Sequence, residues 1–245
     1  MGHYVVSGFG ARRVPPVILL PGTAIMYGIL RGSGNVIKEC EREGHPYLYV
    51  DHAYFWQYKG MVDEPRAHFR IVKNGRYFNN LGDNVPGDRF KALGVEVKPW
   101  KKGGSKVVVV PLSAFVARYM GVDPVQWLET TIEALSRHTD RHIVVKPKYP
   151  MRDFDPKRSP FIDFIKDAHA VVSAESNVAV DAIVEGVPIF CSPNSPAAAM
   201  GLSDLDKIES PVYPDRENWL NMLAYRQFTI GEIASGKARE ILDQT

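Results

Sequence analysis

The chain has 245 residues, of which 45% are hydrophobic and 24% charged, a composition that fits a globular protein and excludes wholesale disorder, collagen and coiled coil. The net charge of +2 says little about partners, but its distribution says more: residues 1–101 hold 14 basic and 9 acidic residues, and residues 102–245 hold 16 and 19. A basic first part joined to a mildly acidic second part points to an anionic partner for the first.

In chain order, Val17–Pro21 (VILLP) reads as an apolar strand closed by Gly22. Residues 27–34 (YGILRGSG) connect it to a helix over 34–43 that stops at Gly44. Within that connection Gly32 and Gly34 let the backbone approach a ligand, Ser33 can cap the helix and Arg31 supplies charge; a plain strand–helix turn has the same pattern. Tyr47–Val50 is the next strand. It ends at Asp51 and His52, beside Tyr54 and Phe55. An acid or imidazole at a strand end is a candidate base toward an acceptor hydroxyl, so Asp51 and His52 are the candidate catalytic residues. A helix-capping Asp and a partly buried His fit the same residues.

Residues 66–79 alternate polar and apolar around Asn74-Gly75, which predicts a hairpin. Residues 66–102 hold nine basic residues against three acids, interleaved with aromatics. Charge plus stacking surface suits nucleic acid, with Arg70, Lys73 and Arg76 on phosphate and Tyr54 or Phe55 against an extruded base. A solvated hairpin fits the same residues. The Gly-, Pro- and charge-rich stretch 80–104 reads as a linker.

Beyond it, Val107–Val110, Ile143–Val145, Ala170–Ser173 and Pro188–Cys191 read as strands alternating with helices over 124–138, 161–166 and 176–185, the pattern of a doubly wound parallel sheet. The tail, 215–243, reads as two amphipathic helices. The histidines show no metal-ligand spacing, and the two cysteines, Cys40 and Cys191, can build neither a disulfide framework nor a zinc cluster. No leader and no stretch of 18 apolar residues is evident, so a cytoplasmic location without a membrane span is expected.

The segment 168–191 (AHAVVSAESNVAVDAIVEGVPIFC) carries the strongest motif. A strand stops at Ser173, a polar turn (Ala174-Glu175-Ser176-Asn177) follows, and a helix with Asp181 leads to Gly186-Val187-Pro188. A helix start offers N–H groups to phosphate, and Ser176 or Asn177 can cap it. An ordinary βαβ unit with a capped helix has the same outline. The pattern resembles the nucleotide-sugar site of GT-B glycosyltransferases. The resemblance implies that Asp181 binds the donor ribose and that Ser173, Glu175, Ser176 and Asn177 form the diphosphate turn. Here Asp replaces the usual Glu, and Ala174-Glu175 stands where Gly-Gly is frequent. Residues 143–150 (IVVKPKYP) resemble the basic strand end that faces the diphosphate in GT-B families acting on surface polymers, with Lys146 and Lys148 as phosphate contacts.

The resemblance implies an α/β, GT-B-like fold: two Rossmann-like halves with a donor crevice between them and C-terminal helices packing back. The domains would be 1–101 on the acceptor side and 102–245 for the nucleotide sugar. Residues 30–55 and 216–238 are similar to a group of small phage and prophage glycosyltransferases. That similarity implies hexosyl or pentosyl transfer from a nucleotide sugar such as a UDP-sugar, with no tightly bound cofactor, no metal requirement and a host-cytoplasmic setting. The implied acceptor is a hydroxymethylated pyrimidine in double-stranded phage DNA. A surface-polysaccharide glycosyltransferase and a non-catalytic nucleotide- or DNA-binding phage protein are the alternatives.

Overall fold

The computed structural model describes residues 22–30, 32–55, 67–77, 84–146 and 160–244. They divide into two compact units. The first comprises the described residues within Met1–Phe78, Asn84–Leu93 and Leu220–Thr245, and the second comprises those within Gly94–Trp219. The division therefore falls near residue 93 instead of 101, and the end of the chain joins the first unit instead of closing the second.

The first unit holds β1 (Ala24–Tyr27), α1 (Ser33–Glu43), β2 (Tyr47–His52), β3 (His68–Lys73), α2 (Asp88–Leu93) and β8 (Gln227–Thr229), followed by α8 (Ile230–Ser235) and α9 (Lys237–Gln244). Its sheet has the order β1-β2-β3-β8. β1 and β2 are parallel, while β3 runs antiparallel to both β2 and β8. The sheet is thus mixed, which departs from the parallel Rossmann-like half expected. The reason lies at Asn74, in left-handed conformation at φ 51°. Its N–H donates to the Tyr47 carbonyl (2.9 Å) and its Oδ1 accepts from the Tyr47 N–H (2.9 Å), extending the ladder to β2. Asn74-Gly75 therefore ends β3 against β2, and no second hairpin strand follows within residues 74–77. The expected strand over 17–21 lies outside the described residues.

One face of this sheet is apolar. Leu48, Val50, Phe69, Ile71 and Phe228 pack with Ile233, Ala238 and Leu242 of α8 and α9. Alternation along extended strands sends Tyr49, Asp51, Arg70 and Gln227 to the other face. Of the expected linker, residues 88–93 form α2, where Arg89 donates to both Glu232 oxygens (2.7 and 3.3 Å) and to the Gln227 carbonyl (2.9 Å).

The second unit holds β4 (Lys106–Val110), α3 (Ala114–Met120), α4 (Pro124–Ser136), β5 (His142–Val145), α5 (Pro160–Phe164), β6 (Ala168–Ser173), α6 (Val178–Val184) and β7 (Ile189–Cys191); α7 (Glu217–Ala224) spans the boundary between units. The sheet is wholly parallel with order β5-β4-β6-β7. The central strands are continuous apolar runs because both faces are covered. Val107, Val109, Ala170, Val172 and Phe190 pack against Leu135, Trp127 and Leu128 of α4 on one side. Asp123 starts α4 by accepting from the Val125 and Gln126 N–H groups, with Pro124 in the first turn.

Candidate functional site

From β4 the chain moves to β5 on one side of the sheet, then crosses to β6 on the other side of β4, and continues outward to β7. The carboxyl ends of β4 and β6 are therefore the switch point of this sheet, where ligands of open α/β folds bind. Val110 and Ser173 are register partners at these ends. Beyond them, Leu112, Ala117 and Ala174 pack together, so the β4–α3 loop and the polar turn lie side by side. Ser113 caps α3 by accepting from the Val116 N–H (3.2 Å).

The polar turn is internally braced. The buried Ser173 hydroxyl accepts from the Ser176 N–H (3.3 Å), and Ser192 Oγ donates to the Ala174 carbonyl (3.2 Å). Ser176 Oγ accepts from the Val178 N–H (3.4 Å). Asn177 occupies the cap position of α6 in helical conformation and makes no side-chain cap bond. Of the two caps considered, Ser176 is the one used. Glu175 is buried in the turn, and Asp181 is buried one turn along α6, 4% exposed. Lys146 follows β5 at the same sheet edge, where its N–H donates to the Val109 carbonyl (2.8 Å). Its ammonium lies 5.9 Å from the centre of the Phe161 ring, and burial lowers its pKa. Lys148 and Arg31 lie outside the described residues.

In the first unit the expected residues have other partners. Asp51 Oδ2 accepts from the Tyr49 hydroxyl (2.6 Å) and Arg70 Nη2 (2.8 Å), and Oδ1 accepts from the His52 N–H (2.8 Å). Burial pushes the Asp51 carboxyl up, but Arg70, the Tyr49 hydroxyl and the His52 amide outweigh it and hold it below the ordinary carboxylate value. A carboxylate so engaged is a poor proton acceptor, which argues against Asp51 as a base. His52 is exposed at the end of β2, its ring 6.3 Å from that of Phe69.

Arg70 is 2% exposed, so it does not offer its charge to a phosphate backbone as expected. It donates to the His52 carbonyl (2.9 Å) and the Arg76 carbonyl (3.3 Å) as well as to Asp51. Its guanidinium lies over the rings of Tyr77 (4.6 Å), Tyr49 (5.5 Å) and Tyr54 (5.6 Å). Lys73 binds Asp243 (2.9 Å) and the Leu242 carbonyl at the end of α9. Arg76 lies over the Tyr77 ring (5.5 Å). Tyr54 is 0% exposed and Phe55 packs on Phe90 with ring centres 5.5 Å apart, so neither is presented for stacking on an extruded base. Gly32, at φ 93°, is the cap position of α1, and Ser33 is its first residue and supplies no cap bond. Sequence reasoning missed Ser113, Tyr49, Tyr77 and Gln227. Only for Ser113 was there a signal, a serine just past an apolar strand.

Among the described residues, no three His, Cys, Asp or Glu side chains gather as a metal site, and no helix is long and apolar enough to cross a membrane. No protein-family model and no curated protein sequence matches the chain. Among solved structures the chain is similar to Thermosulfurimonas dismutans KpsC, a beta Kdo 2,4 transferase, with a TM-score of 0.49 and 11% identity over 89% of this chain and 86% of that one.

Proposed function

We propose that the chain is a glycosyltransferase that takes its sugar from a nucleotide diphosphate donor seated at the β4/β6 switch point. The observation that carries this reading is the placement of the Ser173–Asn177 turn at the switch of a wholly parallel sheet, with Ser113 alongside and Lys146 at the same edge. In this reading the hydroxyls and backbone amides of the turn bind phosphate, Asp181 binds ribose and Lys146 offsets charge on the leaving diphosphate. Phosphate beside Lys146 would restore the pKa that burial lowers. Lys148 would add a further phosphate contact. A UDP-sugar is the first donor to try, and turnover is expected to persist in EDTA, because side chains and a helix start replace a metal in this scheme.

The acceptor is a hydroxyl. We favour a carbohydrate over a hydroxymethylated DNA base, because Arg70, Tyr54 and Phe55 are buried and Lys73 is held by α9. Calorimetry with nucleotide diphosphates tests the donor site. Replacing Ser176 and Asn177 together by Ala is expected to weaken binding about 5- to 150-fold, the equivalent of about 1–3 kcal/mol of hydrogen bonding. Equal affinity in a folded variant would remove the turn from the site. Duplex affinity across a salt series tests the acceptor, and a steep salt dependence would return the choice to DNA. Binding without sugar transfer to any acceptor would make the chain a nucleotide-binding protein instead.

A further inference from the structure

α3 is apolar on its outer side as well as on its inner one. Inward, Val116, Ala117 and Met120 pack with Leu112 and Ala174, and Trp127 of α4 joins the same cluster. Outward stands Phe115, 56% exposed. Val122, in the turn after α3, is 37% exposed, and Val125, in the first turn of α4, is 61% exposed. A surface helix ordinarily carries polar groups outward, and one that is apolar all round is covered. Within α3 the one charged side chain is Arg118.

Two exposed charges flank the turn between the helices, Arg118 before Gly121 and Asp123 after it. Asp123 caps α4 with Oδ1, which accepts from the Val125 and Gln126 N–H groups (2.8 and 2.9 Å). Among the described residues neither Arg118 nor Asp123 takes part in an ion pair. Along the chain the order is therefore apolar, cation, turn, anion, apolar: Phe115, Arg118, Gly121, Asp123, Val125.

We propose that α3 and the start of α4 form the contact between two copies of this chain, related by a two-fold axis. Antiparallel pairing about Gly121 sets Arg118 of each copy against Asp123 of the other, and turns Phe115 toward Val125 of the second copy. A two-fold contact must be self-complementary, each residue meeting its reciprocal partner, and this order about a turn satisfies that condition. Apolar groups flanked by charges of both signs also suit a protein contact. A lipid surface would call for a cluster of cations, and here the single cation is offset by an acid. The contact belongs to the second unit and does not depend on the donor reading.

The test is light scattering of the full chain after size-exclusion chromatography, across a dilution series. Wild type is expected to be dimeric at the top of the series. Phe115→Asp is expected to weaken the dimer about 30-fold or more, as for a central anchor of an interface. Arg118→Asp and Asp123→Arg each set like charges opposite one another and are expected to be monomeric. An equimolar mixture of the two restores both pairs and is expected to dimerise. Circular dichroism checks that each variant is folded; Asp123→Arg also removes a helix cap, whereas Phe115→Asp and Arg118→Asp change exposed side chains and carry the test without it. A wild type monomeric throughout, a dimer unaffected by Phe115→Asp or by Arg118→Asp, or a mixture of folded charge variants that stays monomeric would each overturn the proposal.

Discussion

Arg70 and Asp51 exchange a 2.8 Å bond at the centre of the first unit, with the Arg70 side chain almost wholly enclosed and that of Asp51 a quarter exposed. Removing one partner of such a pair leaves the other charge buried, at a cost of about 3–5 kcal/mol when enclosure is complete. Asp51→Asn is expected near the lower end, about 3 kcal/mol, in urea unfolding at neutral pH. The pH dependence has a definite sign. The folded carboxyl has a lowered pKa, so the unfolded chain binds its proton more tightly. The stabilisation is complete above the unfolded value of about 3.9 and is lost as pH falls through the lower folded value. Asp51→Asn should therefore unfold with a shallower acid limb. Equal stability at pH 7, or an unchanged acid limb, would show that the pair contributes nothing.

At the scale of elements, Gly186 shows why a turn residue can be structural and not catalytic. It follows α6 at φ 75°, and a Cβ there would lie 2.0 Å from the Pro99 carbonyl oxygen. Gly121 follows α3 at φ 71° with nothing within 4 Å of the same position. Left-handed backbone alone costs a non-glycine residue about 1–2 kcal/mol. Gly121→Ala should lose about that much, and Gly186→Ala distinctly more, because the 99–101 segment must move. Equal losses in denaturant titrations would show that the close approach yields without cost. The start of α8 is built with similar economy. Thr229 and Glu232 form a reciprocal capping box, and Arg89 of α2 holds the same Glu232. One carboxylate thus fastens the consecutive elements β8 and α8 to α2, whose Arg89 lies 143 residues earlier in the chain.

At the scale of the whole molecule, β8, α8 and α9 complete the unit that β1 and β2 belong to. β8 pairs with β3, and Phe228, Ile233 and Leu242 fill the apolar face of that sheet. Burying three large side chains contributes about 5–9 kcal/mol, comparable with the stability of a domain. A chain ending at residue 219 is therefore expected to keep the second unit and lose the first. Hydrogen exchange should show protected amides in β4 and β6 and none in β2 and β3. Protection of β2 and β3 in the shortened chain would contradict this account. The same arrangement changes the meaning of the basic stretch 66–102, because Lys73 and Arg89 are held by Asp243 and Glu232 of the tail.

The sequence by itself determined the second unit well. Its strands are short apolar runs, α3 and α4 begin at the capping residues Ser113 and Asp123, α3 ends at Gly121, and each such signal acts between residues a few positions apart. The turn from Ser173 to Asn177 was legible for the same reason, since strand, turn and helix follow one another. In the first unit, local signals misled. Asn74-Gly75 has the composition of a hairpin, yet its asparagine bonds to Tyr47, and an alternating tail segment was hidden inside a helical pattern until β3 recruited it as β8. Arg70, Tyr54 and Phe55 read as surface groups because charge and aromaticity carry no record of burial. Only the tertiary structure decided that Asp51 neutralises Arg70, that Gln227 stands opposite Arg70 in the sheet, and that its amide accepts from the Tyr54 N–H, because those contacts join positions up to 173 residues apart.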